Sequence, residues 1–333
     1  MTGVPARVVS SAALPIDILP LLGPGVSALI PQRGSMPREA LLGELAEADA
    51  LISLLDVAVD EELLARAPRL RVVANVAVGH DNVDVPAATR RGVIVTNTPG
   101  VLTDATADLT FALLLASARR LVEGDALVRG GAWRGWSLDL LLGADVAGRT
   151  LGIVGLGRIG QAVARRARGF DMDIVYAGRR PVEAAPGLGE LGARHLPLDE
   201  LLAASDFVTL HVPLTDETRH IIDAAALARM KPGAILINTA RGACVDEAAL
   251  AAALARGAIA GAALDVFESE PAVHPDLVAS RAVLLAPHIG SATHATRGRM
   301  AEMSARAVAA VLSGQRPRHV VNPQVLERTT DGA

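Results

Sequence analysis

Residues 150–170 read Thr150-Leu-Gly-Ile-Val-Gly155-Leu-Gly157-Arg158-Ile159-Gly160-Gln-Ala-Val-Ala-Arg-Arg-Ala167-Arg-Gly-Phe170. An aliphatic strand candidate runs into G-x-G-x-x-G, and Ile159, Val163, Ala167 and Phe170 then recur at helical spacing. In such a loop Gly155 permits the tight turn, Gly157 lets backbone approach a pyrophosphate, and Gly160 lets helix pack on strand. The helix N-terminus adds free N–H groups and a partial positive charge for phosphate oxygens. Arg158 and Ile159 fall inside the same cofactor loop. A glycine-rich turn without a ligand is the plain alternative. Strand, helix and following strand in the right order favour the dinucleotide reading.

That following strand, Asp173–Ala177, runs into Gly178-Arg179-Arg180. An NAD site places Asp or Glu at this strand end, where it accepts from the ribose hydroxyls. Gly178 stands there instead, 18 residues after Gly160. A 2′-phosphate would be repelled by an acid and held by an arginine fork. The expectation is NADP(H) preferred, with NAD(H) admitted; a solvated arginine pair is the alternative.

Outward from this loop, short aliphatic runs alternate with amphipathic stretches along most of the chain, the pattern of parallel sheets covered by helices. The first unit offers strands at Arg7–Ser10, Ser27–Ile30, Asp49–Leu54, Arg71–Val76 and Val93–Thr96, with helical patterns at Arg38–Ala48 and Asp60–Arg66. The second offers six strands, at Thr150–Val154, Asp173–Ala177, Asp206–Val212, Ala234–Thr239, Ile259–Val266 and Ala282–Ala286. One long helical pattern spans Asp104–Arg129, followed by a loop over Gly130–Gly148. A C-terminal helix carries Met300, Met303, Ala307, Val308, Val311 and Leu312 and stops at Ser313-Gly314. The fold class expected is α/β with two doubly wound parallel-sheet domains. A flavodoxin-like substrate domain covers residues 1–98 and 289–333, a Rossmann cofactor domain covers 99–288, and a cleft lies between them.

Composition excludes several other classes. The 333 residues suit about two domains at a prior of ~150 each. With 51% hydrophobic and 20% charged residues the chain is globular. A net charge of −4, no basic block and seven aromatic residues argue against a nucleic-acid partner. The longest apolar helix candidate, Leu109–Ala118, is well short of the ~20 residues that a membrane span needs. The N-terminal stretch has no basic region followed by an apolar one, and the single cysteine, Cys244, cannot form an internal disulfide. Both fit a cytoplasmic location. No His, Cys, Asp and Glu spacing resembles a metal site, and a serine nucleophile elbow is missing.

Three further segments carry chemistry. Asn238-Thr239-Ala-Arg241-Gly-Ala-Cys-Val-Asp246 follows a strand. Leu264-Asp265-Val-Phe-Glu268-Ser-Glu270-Pro271 comes next, and then Ala286-Pro-His288-Ile-Gly290-Ser291-Ala-Thr293. With the glycine loop, this ordered set resembles the D-isomer-specific 2-hydroxyacid dehydrogenase family over nearly the whole chain. Val78-Gly79, Val101-Leu-Thr-Asp104, Ala177-Gly-Arg179 and His288-Ile-Gly-Ser-Ala-Thr-His294 resemble its glyoxylate/hydroxypyruvate reductase branch. Taken singly, each motif has an ordinary reading: a loop histidine, a Glu-Pro turn, an arginine at a strand end.

Reduction of a 2-oxo acid needs a hydride donor, a proton donor and an anchor for the carboxylate. Histidine titrates near neutral pH, a neighbouring carboxylate favours its imidazolium, and arginine grips a carboxylate through two parallel N–H bonds. The resemblance implies His288 as proton donor, Glu270 as its partner, and Arg241 as anchor and carbonyl polariser. It implies substrate contacts from Val78, Gly79, Ser291 and Trp136. Thr106, Pro213, Thr239, Asp265, His288 and Gly290 would line the cofactor. It also implies a homodimer, with the Asp104–Gly148 region wrapping the partner and Trp136 reaching the neighbouring active site. The substrate would be a small 2-oxo or 2-hydroxy acid. His211 reads as structural, and His80, His195, His220, His274 and His319 have no partner that the sequence can name. Within the family the alternatives are a broader 2-oxo acid reductase, a phosphite dehydrogenase or a phosphoglycerate dehydrogenase. Outside catalysis, a dinucleotide-sensing interaction protein could use the same fold.

Overall fold

The structure is a computed structural model and describes residues 5–179 and 191–327. Arg180 lies outside them. The chain divides into two compact units, Met1–Leu102 with Ser291–Ala333, and Thr103–Gly290.

In the first unit the chain runs β1 (Ala6–Ser10), α1 (Leu19–Leu22), β2 (Val26–Leu29), α2 (Arg38–Leu45), β3 (Ala50–Ser53), α3 (Glu61–Arg66), β4 (Val72–Asn75), α4 (Val85–Arg90) and β5 (Ile94–Thr96). The strands pair in parallel in the order β2-β1-β3-β4-β5, the flavodoxin-like arrangement. β3 and β4 are buried throughout because helices cover both faces of a parallel sheet, which is why they read as unbroken aliphatic runs. Asp60 and Asp84 cap α3 and α4, accepting from the N–H groups of Leu63 and Ala87.

The second unit opens with α5 (Thr103–Ala118) and α6 (Leu121–Arg129). Next come β6 (Thr150–Val154), α7 (Arg158–Ala167), β7 (Asp173–Ala177), β8 (Arg194–His195), α8 (Leu198–Ala204) and β9 (Phe207–Leu210). It closes with α9 (Ala224–Arg229), β10 (Ile235–Asn238), α10 (Glu247–Ala255), β11 (Gly261–Leu264), α11 (Pro275–Ala279) and β12 (Val283–Leu285). The seven strands are parallel in the order β12-β11-β10-β9-β6-β7-β8, a Rossmann sheet extended by one strand at the β12 edge. The chain then returns to the first unit through α12 (His294–Leu312) and α13 (Gln324–Glu327). Val308 and Val311 of α12 pack with Val72 and Ala74 of β4 in the first unit's core. No helix among the described residues is long and apolar enough to cross a membrane.

Two expectations need correction. The second sheet contains a strand beyond the six expected, β8, whose two residues are both exposed and carry no apolar run. It exists through pairing with Val175 and Tyr176 of β7. The helical pattern over Asp104–Arg129 is two helices, broken where Arg120 takes φ +51°. No Gly or Pro marks the break. The Ala118 carbonyl accepts instead from the N–H of Ala144 at 2.8 Å, beside Gly143, where a Cβ would lie 2.2 Å from that oxygen.

Candidate active site

The second sheet reverses its strand order between β6 and β9, and ligands of open α/β sheets bind beyond the strand ends at such a point. Gly155 leaves β6 there with φ +96°. A Cβ on it would lie 2.7 Å from the His211 carbonyl, just past β9. Gly157 is the N-cap of α7 and makes no side-chain cap, and a Cβ on it would meet nothing within 4 Å. Gly160 presses on the turn, since its Cβ would fall 2.2 Å from the Gly155 carbonyl. The first N–H groups of α7 therefore face an open approach flanked by the exposed Arg158, and these residues fit a pyrophosphate. Ile159 packs beneath against the core of the unit.

β7 leads to the exposed Gly178 and Arg179. The Gly155 N–H donates to Ala177 O at 2.8 Å, and His195 Nε2 lies 3.1 Å from Gly178 O, so β8 steadies this corner. His195 also tilts against Tyr176 at 5.0 Å. Beyond β9, burial pushes the pKa of His211 down to about 3. Its neutral ring meets the Thr209 hydroxyl at 2.9 Å, a structural contact, and the exposed Pro213 follows.

Beyond β10, the Asn238 side chain shapes the turn. Its Nδ2 donates to Arg241 O at 2.8 Å and its Oδ1 accepts from Ala240 N–H at 3.0 Å. Thr239 Oγ1 lies 2.9 Å from Thr110 Oγ1 of α5. Arg241 Nη1 donates to Ala240 O at 2.8 Å. Gly242 abuts the next loop so closely that a Cβ would sit 1.8 Å from the Phe267 carbonyl carbon.

Beyond β11, Asp265 is 1% exposed and holds the turn after His288. Its Oδ1 accepts from Ile289 N–H at 2.7 Å, its Oδ2 from Gly290 N–H at 2.8 Å, and its carbonyl from His288 N–H at 2.8 Å. Burial pushes its carboxyl up, against those hydrogen bonds and the nearby His288. Gly290 sits close to Asp265 and Thr106, since a Cβ on it would lie 3.3 Å from Asp265 Oδ2 and 3.5 Å from the Thr106 methyl carbon. His288, at φ +52°, directs Nδ1 to Glu270 Oε2 at 2.8 Å. Glu270 Oε1 accepts from Phe267 N–H at 3.0 Å. Burial acts to raise the Glu270 carboxyl, but the His288 and Phe267 hydrogen bonds and the charges of His288 and Arg241 outweigh it. The group is held below its ordinary value of 4.5. His288 Nε2 has no hydrogen-bond partner among the described residues.

Residues 111–290 match the family described as D-isomer specific 2-hydroxyacid dehydrogenase, NAD binding domain. The chain belongs to that family. The glyoxylate reductase of Thermococcus litoralis is 55% identical over 295 residues, covering 87% of this chain and 88% of its own. That of Pyrococcus furiosus is 52% identical over 296 residues, covering 88% of each. Among solved structures, the NADPH-dependent glyoxylate/hydroxypyruvate reductase of Sinorhizobium meliloti, in complex with NADP and malonate, superposes with a TM-score of 0.83. It is 34% identical and covers 95% of this chain and 97% of its own. This D-2-hydroxyacid dehydrogenase therefore uses a nicotinamide dinucleotide.

Within the dehydrogenase, Thr106, Thr239, Arg241, Asp265, Glu270, His288 and Gly290 all belong to the second unit. Val78, Gly79 and Ser291 belong to the first. There the Val78 carbonyl accepts from Asn97 Nδ2 and the Gly79 carbonyl from Asn75 Nδ2, both at 2.8 Å. The N–H groups of Val78 and Gly79 make no hydrogen bond among the described residues, as a backbone anion nest requires. Asn75, Asn97, Asn238 and the Phe267 N–H are shaping groups that sequence motifs do not single out. Asparagine at a strand end, as at 75 and 238, is the one signal that could have found two of them. Trp136 lies in the loop after α6, 81% exposed.

A carboxyl whose folded pKa is lowered stabilises the fold above its unfolded value and loses that contribution as pH falls through the lowered one. Glu270→Gln should therefore be less stable than the unmodified protein in urea at pH 7, and the gap should shrink below pH 4.5. A gap that stays constant to pH 3 would contradict the assigned ionisation.

Proposed function

We propose that the protein reduces small 2-oxo acids, glyoxylate and hydroxypyruvate foremost, to 2-hydroxy acids, with NADPH preferred over NADH. The observation that carries this reading is the Glu270–His288 contact, which commits Nδ1 and leaves Nε2 open. The glyoxylate reductases at over half identity support the substrate class. When bound, the dinucleotide supplies a hydride to carbon 2.

The chain's own residues do the rest. His288 holds a proton on Nε2 and gives it to the oxygen at carbon 2 as that oxygen gains charge. Glu270 stays ionised, fixes the ring and balances the imidazolium. Arg241 grips the substrate carboxylate through its fork and polarises the carbonyl. Val78 and Gly79, through their N–H groups, and Ser291 add substrate contacts. The α7 N-terminus with Gly155, Gly157, Arg158, Ile159 and Gly160 holds the pyrophosphate. Thr106, Pro213, Thr239, Asp265 and Gly290 line the cofactor. Gly178 presents no carboxylate, and Arg179 offers donors to a 2′-phosphate; Arg180 is assigned the same task from sequence alone.

The same reading includes a homodimer. Leu121, Val122, Val128, Trp133, Trp136, Leu138 and Leu142 are exposed in α6 and the loop after it, a run of large apolar side chains that a second copy would cover. Trp136 would then reach the partner's substrate. Sedimentation at working concentration should give a dimer, and a monomer would end this part of the proposal.

A panel of 2-oxo acids with both cofactors tests the activity. Glyoxylate and hydroxypyruvate with NADPH should give the highest kcat/KM; equal values for NADH and NADPH would contradict the preference. Losing a charge-assisted hydrogen bond of ~1.5–3 kcal/mol weakens binding about 10- to 150-fold. Arg179→Ala should raise KM for NADPH within that range and leave NADH nearly unchanged. Gly178→Asp should shift preference toward NADH, since a Cβ there meets only Leu156 N, at 3.9 Å.

A further inference from the structure

Glu247 is the only buried glutamate among the described residues, at 5% exposure, and the proposed chemistry does not use it. It stands first in α10, but that helix is already capped by Asp246, which accepts from Ala249 N–H at 2.9 Å. The Glu247 carboxylate crosses to the loop after β11. Its Oε1 accepts from Glu268 N–H at 2.8 Å and its Oε2 from His274 N–H at 3.3 Å. The Glu268 carboxylate answers it: Oε2 accepts from Glu247 N–H at 3.3 Å, and Oε1 pairs with His220 Nε2.

Glu270 lies between the two N–H groups that Glu247 holds. Phe267, one residue before the first of them, donates its N–H to Glu270 Oε1. The intervening turn is closed by Ala272 N–H on Ser269 O at 2.9 Å. The braces are themselves anchored, since His220 N–H donates to Ala243 O and Asp246 N–H to Ile222 O. Burying a carboxylate is costly unless hydrogen bonds compensate it. Both side-chain bonds of Glu247 go to the loop that carries Glu270.

We propose that Glu247 is a positioning residue for the reduction, fixing the loop that aims Glu270 at His288, with Glu268 and His220 as outer braces. This rests on the roles given above to Glu270 and His288.

The test is a double-mutant cycle on kcat for glyoxylate at saturating NADPH, using Glu247→Gln, Glu270→Gln and the double variant. Gln keeps the shape but turns an amide N–H₂ toward a backbone donor. Misplacing a catalytic group by about 1 Å costs up to about 100-fold. Glu247→Gln should lower kcat about 10- to 100-fold with Kd for NADPH unchanged. In the Glu270→Gln background its further effect should be less than about twofold. A single-variant loss under about twofold, or an equal loss in both backgrounds, overturns the proposal. If Glu270→Gln alone leaves kcat unchanged, the role of Glu270 falls, and the positioning role falls with it. Should Glu247→Gln not fold, His220→Asn, on the surface, takes its place. It should lower kcat severalfold only when Glu270 is present, and an additive loss overturns the proposal.

Discussion

The hydrogen bond from His288 Nδ1 to Glu270 Oε2 joins segments that leave two adjacent strands, β12 and β11, and backbone fixes both of its ends. His288 is fixed by its left-handed φ, by its N–H on the Asp265 carbonyl, and by the grip of Asp265 on the two residues that follow. Glu270 is held by the Phe267 N–H through its second oxygen. A carboxylate so satisfied stays ionised despite its burial. The imidazole is left one nitrogen with no partner among the described residues, in a defined direction, which is the condition for directional proton transfer.

This arrangement follows from parallel pairing. Every strand of the second sheet points the same way, so the loops after β6, β7, β9, β10, β11 and β12 leave from one edge. Glycine loop, arginine turn, aspartate, glutamate and histidine are gathered there without any long-range steering beyond strand order. Close approach then sets which residues are tolerated. Gly160 lies against the Gly155 carbonyl and Gly242 against the Phe267–Glu268 peptide, contacts that a Cβ would break.

The aliphatic strands of both sheets were legible because burial on two faces demands continuous apolar runs, as at Val72–Asn75 and Ile235–Asn238. β8 was not, since Arg194 and His195 are exposed and owe their conformation to β7 alone. The break at Arg120 was also hidden, because no Gly or Pro stands there and the hydrogen bond beside it comes from Ala144, distant in sequence. At the site, Arg241, Glu270 and His288 stood out through their ordered motifs. The groups that aim them did not. A backbone N–H such as that of Phe267 carries no residue identity, and Glu247 looks in sequence like any acid in a helix's first turn. His220 had no nameable partner because Glu268 lies 48 residues further on.

The proposed role of His288 is tested most directly by the reductive kcat of His288→Ala with glyoxylate and saturating NADPH between pH 6 and 9. Loss of the general acid predicts a fall of roughly 10²- to 10⁴-fold across that range with dinucleotide binding retained. Near-normal turnover would contradict proton donation by His288.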